Sequence, residues 1–416
     1  MAVKQQVYSV ASGDIIPISY NLQRTGDNAV TLDALNRYFT NNNILRPTYR
    51  IYVLHEDDSL NYEIPLSDIL TDGSYNENYQ NGSRRSLSFT LFNEDGRYTP
   101  DIDKLTPNTR IRLDVGIICD TGVIFWRQQG VFIITDITPS HQPNGSLVSV
   151  RCSDKFILFE GTQGVLESTY EIPIGSDIES VLIDILRKDS GDGFPLDSQP
   201  LIYHSSFKGR KTAVEITHQV GDQLSSIISD LATQLPAEYF YNASGQLTLV
   251  PFDEIMGDQN KPLLGSCVAE NGDISQLSFT LNYSEAINRV IVIGASNVSE
   301  ICEATAVNND ASSPLCYQRI GMRTAPIIND SNIASKLLAE ERAQYELRKH
   351  LILSTSTSTD VVLNPIWTVN NLVALYDDFF GLVGQRFLIK SISFTLNYSG
   401  LMTIGLTNIQ NLSFLT

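Results

Sequence analysis

Three short β signatures occur twice in this chain, in the same order, and this repetition limits the possible folds more than any other feature. Leu87-Ser88-Phe89-Thr90-Leu91 returns as Leu277-Ser278-Phe279-Thr280-Leu281. In the first half Thr106-Pro107-Asn108-Thr109-Arg110-Ile111-Arg112-Leu113 follows, then Phe132-Ile133-Ile134-Thr135-Asp136-Ile137-Thr138, then Leu147 to Val150. The second half offers Thr368-Val369-Asn370-Asn371-Leu372-Val373-Ala374-Leu375, then Phe387-Leu388-Ile389-Lys390-Ser391-Ile392-Ser393, then Leu401 to Ile404. The pattern implies a duplicated β-domain. A duplicated fold lets an oligomer of n chains present twice n similar faces, which suits a protein that must meet a partner of different symmetry.

The chain has 416 residues with a hydrophobic fraction of 42%, enough for several domains with proper cores. A net charge of −18 argues against gripping phosphate backbones, because nucleic-acid binders depend on Lys and Arg clusters. Arg84-Arg85 is an isolated basic pair and reads as the solvated start of a strand. An acidic surface suits the opposite task, a wall past which a polyanion slides. No apolar run reaches the roughly 18 residues of a membrane span, and the start lacks an apolar leader, so synthesis in a cytoplasm without stable membrane insertion is expected. Cys119, Cys152, Cys267, Cys302 and Cys316 are scattered and lack metal-ligand spacing.

The expected fold class is mainly β with an inserted α/β domain and two similar β-barrels. Residues 1–45 read as an N-terminal arm with a short helix at Thr31 to Tyr38. Residues 46–160 form the first barrel: Leu87, Phe89 and Leu91 share one strand face, and Asn93-Glu94-Asp95-Gly96 is a turn. The period changes over 161–270, the inserted α/β domain. Asp177 caps a helix carrying Ile178, Val181, Leu182, Ile185 and Leu186, and Gly221-Asp222-Gln223 opens another that Pro236 stops. A hairpin follows over Glu238 to Tyr241 and Gln246 to Phe252. Residues 271–416 form the second barrel, in which Arg289 to Gly294 is a buried strand. A loop-helix insertion interrupts it at about 300–350, with Ser296 to Pro314 as loop. A helix from Ser331 turns Ile333, Leu337, Leu338 and Tyr345 inward and Glu340, Glu341, Arg342, Arg348 and Lys349 outward.

No nucleophile elbow, phosphate loop or zinc-peptidase His pair occurs, so no catalytic residue, cofactor or metal is assigned. His55, His141, His204, His218 and His350 stand alone and read as loop or surface residues. The acid clusters His55-Glu56-Asp57-Asp58, Glu94-Asp95 and Asp377-Asp378 are the best candidates for glycoside hydrolysis. Adjacent strand residues point to opposite faces, so these clusters fit turns and solvated ends better. Tyr and Phe number 18 and 17, and Trp126 and Trp367 sit in the β copies. They line a platform if the chain binds glycans and fill cores or interfaces if it does not; the phase of Phe89, Phe279 and Phe394 with neighbouring Leu favours core or interface.

The run Ser86 to Pro100, with its Asn93-Glu94-Asp95-Gly96-Arg97 turn, and the strand Leu105 to Leu113 resemble the first barrel of phage baseplate hub proteins. In that family a "large-x-Pro-Gly-x-x-Val-x-Leu" strand follows the turn; here Asn108 replaces the commoner Gly. Asn288 to Gly294 and the closing Phe387 to Thr407 hairpin are also similar, and the resemblance covers roughly residues 46 to 412. It implies a homotrimeric ring in a virion tail baseplate, in which three chains display six tail-tube-like barrels. Such a ring joins a sixfold tail tube or tube-initiator protein to a threefold central spike, with baseplate wedge or sheath-side proteins around it. DNA passes through without specific binding, Asp114 being a candidate lining acid. The structural interface candidates are Leu87, Phe89, Leu91, Leu277, Phe279, Leu281, Phe132, Ile134, Phe387 and Ile389. The competing classes are a tail-associated host-glycan binding module and a cell-wall glycan hydrolase.

Overall fold

The computed structural model describes residues 47–100, 105–118, 124–143, 145–189, 193–251, 265–268, 274–281, 286–295, 302–311 and 313–408. The expected N-terminal arm and its helix lie outside these. In chain order the first part comprises β1 (Pro47–Leu54), β2 (Leu60–Ile64), β3 (Ser74–Asn78), β4 (Arg85–Phe92), β5 (Arg110–Ile118), β6 (Ile124–Gln142) and β7 (Gly145–Asp154). The middle holds β8 (Tyr170–Ile172), α1 (Ile178–Leu186), β9 (Ile202–Tyr203), β10 (Ile216–His218), α2 (Leu224–Gln234), β11 (Ala237–Tyr241) and β12 (Leu247–Pro251). Then come β13 (Gly265–Val268), β14 (Ile274–Leu281), β15 (Arg289–Ile293), β16 (Glu303–Val307), α3 (Tyr317–Ile320), β17 (Ile328–Asn329) and α4 (Lys336–Ser354). The chain closes with β18 (Thr355–Val362), β19 (Leu372–Asp377), β20 (Leu382–Thr395) and β21 (Leu401–Asn408).

The fold is mainly β, and the duplication is visible in its hydrogen bonding. The first half runs β3-β4-β7-β6-β5-β1 across the sheet and the second runs β14-β18-β21-β20-β19-β13. Only the last strand differs in sense, β1 being antiparallel to β5 and β13 parallel to β19. Both halves carry a bulge at matching sites. Thr135 is the extra residue between Ile134 and Asp136 on β6, and Lys390 the extra residue between Ile389 and Ser391 on β20. A second matched pair places Gln129 and Gly384 as the extra residues opposite Leu113/Asp114 and Leu375/Tyr376. Bulges set local twist and bend a strand, so repeating them repeats the curvature.

The turns before β5 and β19 match atom for atom. Asn108 and Asn370 adopt φ of 75° and 74°. Asn108 N donates to Ile134 O at 3.0 Å and Ile134 N to Thr109 O at 3.0 Å; Asn370 N donates to Ile389 O at 2.9 Å and Ile389 N to Asn371 O at 2.9 Å. Asn tolerates the left-handed region that Gly otherwise supplies, so Asn108 and Asn370 can hold this turn.

The strand pair that first suggests the repeat is not the equivalent one. Leu87 to Leu91 lies in β4, whose counterpart is β18, whereas Leu277 to Leu281 lies in β14, the counterpart of β3. Leu87 and Thr357 face Cys152 and Leu406, and Phe89 and Thr359 face Val150 and Ile404. Thr357 and Thr359 are buried where β4 has Leu and Phe, so β18 lacks a hydrophobic alternation to match. The two halves are also not separate. β20 pairs with β3, giving one 13-stranded sheet over one continuous core.

Among the described residues, two smaller cores built with helices stand beside this sheet. One packs α1 and α2 on β11-β12, as the periodicity predicts, with Asp177 capping α1 by accepting from Ser180 N at 2.9 Å. The other packs α4 on the sheet β16-β15-β17. Four expectations change here. Arg289–Ile293 leaves the large sheet, and Glu303–Val307, read as loop, is its partner strand because Ala304 and Ala306 turn inward. The helix begins at Lys336, so Ile333 is buried ahead of it and Leu337 is 64% exposed. Arg342, expected in water, is half-buried and pairs with Glu346 at 2.9 Å and Thr233 at 2.9 Å, because α4 also packs toward α2.

Candidate functional site

The place where the two halves meet is built from β20 and β3. Ser391, Ile392, Ser393, Phe394 and Thr395 oppose Asn78, Glu77, Asn76, Tyr75 and Ser74. Tyr79 N donates to Lys390 O and Leu396 N to Gly73 O, both at 2.7 Å, closing the ladder at its ends. Phe394 stacks on Tyr75 at 4.8 Å between centroids, and Tyr75 meets Phe132 edge-on at 6.4 Å. Such aromatic pairs add about 0.5–1.5 kcal/mol each to the area they bury. Tyr49 OH on β1 donates to Asn397 O at 2.8 Å and Gln129 Nε2 to Pro365 O at 2.9 Å, so the outer strands cross the join as well.

A buried polar network fastens the α/β insert to this join. Arg84 donates to Glu238 Oε2 at 2.7 Å with its guanidinium 3.7 Å from the Phe240 ring centroid, and Tyr79 OH also donates to Glu238. Arg85 donates to Glu77, which also accepts from Tyr75 OH at 3.1 Å, and to Tyr241 O. Lys155 Nζ reaches Asp58 at 2.7 Å, Asp197 at 2.6 Å and Gly245 O at 3.0 Å; Arg110 holds Asp58 at 2.8 Å. Tyr241 OH donates to Asp197 at 2.7 Å. Five carboxyls (Asp58, Glu77, Asp154, Asp197, Glu238) thus share the space with four cations (Arg84, Arg85, Arg110, Lys155). Burial pushes the Asp154 carboxyl up despite backbone N–H donors from Arg85 and Arg84. Burial also pushes the Tyr75 hydroxyl up, and Glu77 adds to it. Burial alone would pull the Arg85 guanidinium down, but Glu77 and Tyr75 hold it above its usual range. These groups are spent on one another, which makes the network a mechanical joint.

Several sequence expectations are corrected here. Arg84 and Arg85 are not solvated: they are 3% and 5% exposed. Asp58 belongs to the network, while Asp57 stays exposed in its turn. Asp114 lies inside, 1% exposed and held at 2.7 Å by both Arg112 donors, and so does not line a channel. His218 is buried with Nε2 3.1 Å from Asp230. Leu87, Phe89, Leu91, Phe132, Ile134, Phe387 and Ile389 fill the core of the single chain, closed to any partner, and Leu277 packs partly against the same core. Phe279 and Leu281 are placed by backbone register opposite Thr357 and Thr355. Sequence reasoning missed the network because its charges come from segments far apart in the chain; the adjacency of two Arg at a strand start was its only local sign.

No protein family model matches the chain, and no curated protein does so. Its fold, however, is found among solved structures. The 43 kDa tail protein of prophage MuSo2 from Shewanella oneidensis is 14% identical with a TM-score of 0.55, covering 87% of this chain and 99% of that one. The tail protein from Neisseria meningitidis MC58 is 11% identical with a TM-score of 0.56, covering 87% and 96%. A chain of the Francisella PdpA-VgrG complex is 12% identical with a TM-score of 0.50, covering 91% of this chain and 56% of that one. The chain therefore has a phage tail protein fold, as the resemblance in its sequence implies.

Proposed function

We propose that this protein is the structural, non-enzymatic hub of a phage tail baseplate, assembled in the virion as a homotrimeric ring. The observation that carries this reading is the repeat itself: strand order, two bulges and a left-handed Asn turn recur in both halves, so three chains offer six near-equivalent units. Six units suit a sixfold tail tube or its initiator, and three chains suit a threefold central spike, with wedge or sheath-side proteins outside. The net charge of −18 fits a channel that lets DNA pass without holding it. Obligate rings of this kind bury more than roughly 2,000 Å² per interface.

The acids weighed for glycan hydrolysis have structural duties that favour this reading. Asp58 belongs to the buried network, Asp95 holds Arg97, and Asp377 accepts from Phe380 N at 3.0 Å. Light scattering and low-resolution imaging of the purified protein test the proposal. A trimer with a central pore is expected; a monomer at high concentration rejects it.

A further inference from the structure

Lys155 follows β7 directly, and its ammonium draws together segments that are distant in sequence. It donates to Asp197 Oδ1 at 2.6 Å, in the connection from α1 to β9, and to Asp58 Oδ2 at 2.7 Å, in the turn from β1 to β2. Gly245 O, in the turn from β11 to β12, accepts from it at 3.0 Å. The side chains of Lys155, Asp197 and Asp58 are 0%, 1% and 7% exposed, so an amine and two carboxyls share one enclosed space.

The two acids are held differently. Asp58 has a second cation, since Arg110 Nη1 donates to its Oδ1 at 2.8 Å, and its charge keeps a partner if Lys155 becomes neutral. Its backbone stands at φ 64°, a left-handed conformation in the turn that carries the carboxylate to Lys155. Among the described residues Asp197 forms an ion pair with Lys155 alone. Its carboxyl takes neutral donors on both oxygens instead, Gln199 N on Oδ1 at 2.9 Å and Tyr241 OH on Oδ2 at 2.7 Å. A nitrogen nucleophile, a base touching that nitrogen and a donor on the far oxygen are the parts of an acyl-transfer site.

We infer that Lys155 and Asp197 condense spontaneously into an isopeptide bond, Nζ to Cγ, with Asp58 as the base. The ammonium passes one proton to Asp197 Oδ1, which leaves an amine beside a carboxylic acid. The nitrogen lone pair then attacks Cγ and forms the N–C bond, while negative charge collects on Oδ2 against the Tyr241 hydroxyl. Asp58 Oδ2 takes a proton from the nitrogen and hands it to Oδ1; the Cγ–Oδ1 bond breaks and water leaves. An ammonium and a carboxylate have become an amide and water, Asp58 is regenerated, and the balance needs no other reactant. Holding the partners in contact supplies an effective concentration of about 10⁵ M or more. The product also replaces a buried ion pair, with its desolvation cost, by a single amide. It turns the ionic fastening between the large sheet and the α/β insert into a covalent one.

Mass spectrometry of the purified full chain reads this bond. The wild-type protein is expected to weigh one water less than its sequence, and its protease digest to contain a branched peptide that joins the Lys155 and Asp197 segments. Lys155→Arg keeps the positive charge and should restore the full mass. Asp58→Asn should slow the linkage about 100-fold, followed over time from freshly refolded protein. Circular dichroism reports whether each variant folds, and the wild-type digest decides the matter if they do not. A wild-type chain of full sequence mass, a water lost without the branched peptide, or a branch at Asp58 overturns the bond. Linkage of Asp58→Asn at the wild-type rate removes Asp58 as the base. The bond lies within one chain, so none of these outcomes depends on the ring.

Discussion

At the scale of single residues, two positions hold strain or charge for the sake of the repeat. Asn108 sits at φ 75° between Pro107 and the first residue of the β5 hydrogen-bond pattern. Asn108→Gly should leave stability within a few tenths of a kcal/mol, whereas Asn108→Ala should cost about 1–2 kcal/mol, read from urea midpoints. Lys390, the bulge residue of β20, is pushed down to about 8 by burial. The unfolded lysine keeps its proton to higher pH, so this group makes stability rise with pH from about 8 to the usual lysine range, and penalises the fold below that. Lys390→Met should flatten that slope and gain of order 1–2 kcal/mol at pH 7, allowing for the solvent that still reaches the ammonium. An unchanged slope in the variant would reject this assignment.

Elements are held to one another here by different forces on different sides. The β20–β3 join relies on backbone ladder and aromatic packing, whereas the α/β insert is fixed to it by ionic groups removed from water. Removing one partner of such a pair strands the other, so Glu238→Ala should destabilise by about 3–5 kcal/mol. Replacing Arg84 and Glu238 together by Met should recover most of that loss. Thermal or urea unfolding of the single and double variants gives the coupling between the two residues; additive losses would mean that Glu238 acts through Tyr79 and Asn370 instead. The exposed hairpin tip between β19 and β20 is a contrasting case. Phe379 is 89% exposed, and Phe379→Ser should change stability by less than about 0.5 kcal/mol.

For the whole molecule, the two halves are joined in series, so a closed ring and a single chain differ in how stability depends on concentration. If copies of this chain assemble into the proposed ring, the unfolding midpoint should climb with protein concentration, as for any assembly that binds only the folded chain. Scans over a hundredfold dilution check this. A midpoint that ignores dilution would place each chain's stability wholly within itself, in the 13-stranded sheet and its flanking cores.

The amino-acid order alone determined the local patterns: the repeated strand signatures, the turn at Asn93 to Gly96, many strands of the large sheet, the capped helix α1 and the helix α2. Each of these rests on neighbours within a few residues, where side-chain period and backbone preference act directly. Which strands correspond was beyond it, because Thr357 and Thr359 occupy core positions without hydrophobic character, while Leu87 to Leu91 and Leu277 to Leu281 look alike in different roles. Only the tertiary structure decided that Arg84, Arg85, Asp58 and Asp114 are inside: Arg84 meets Glu238, and Asp58 meets Arg110 and Lys155, from other segments of the chain, while Asp114 is buried together with its near neighbour in sequence, Arg112.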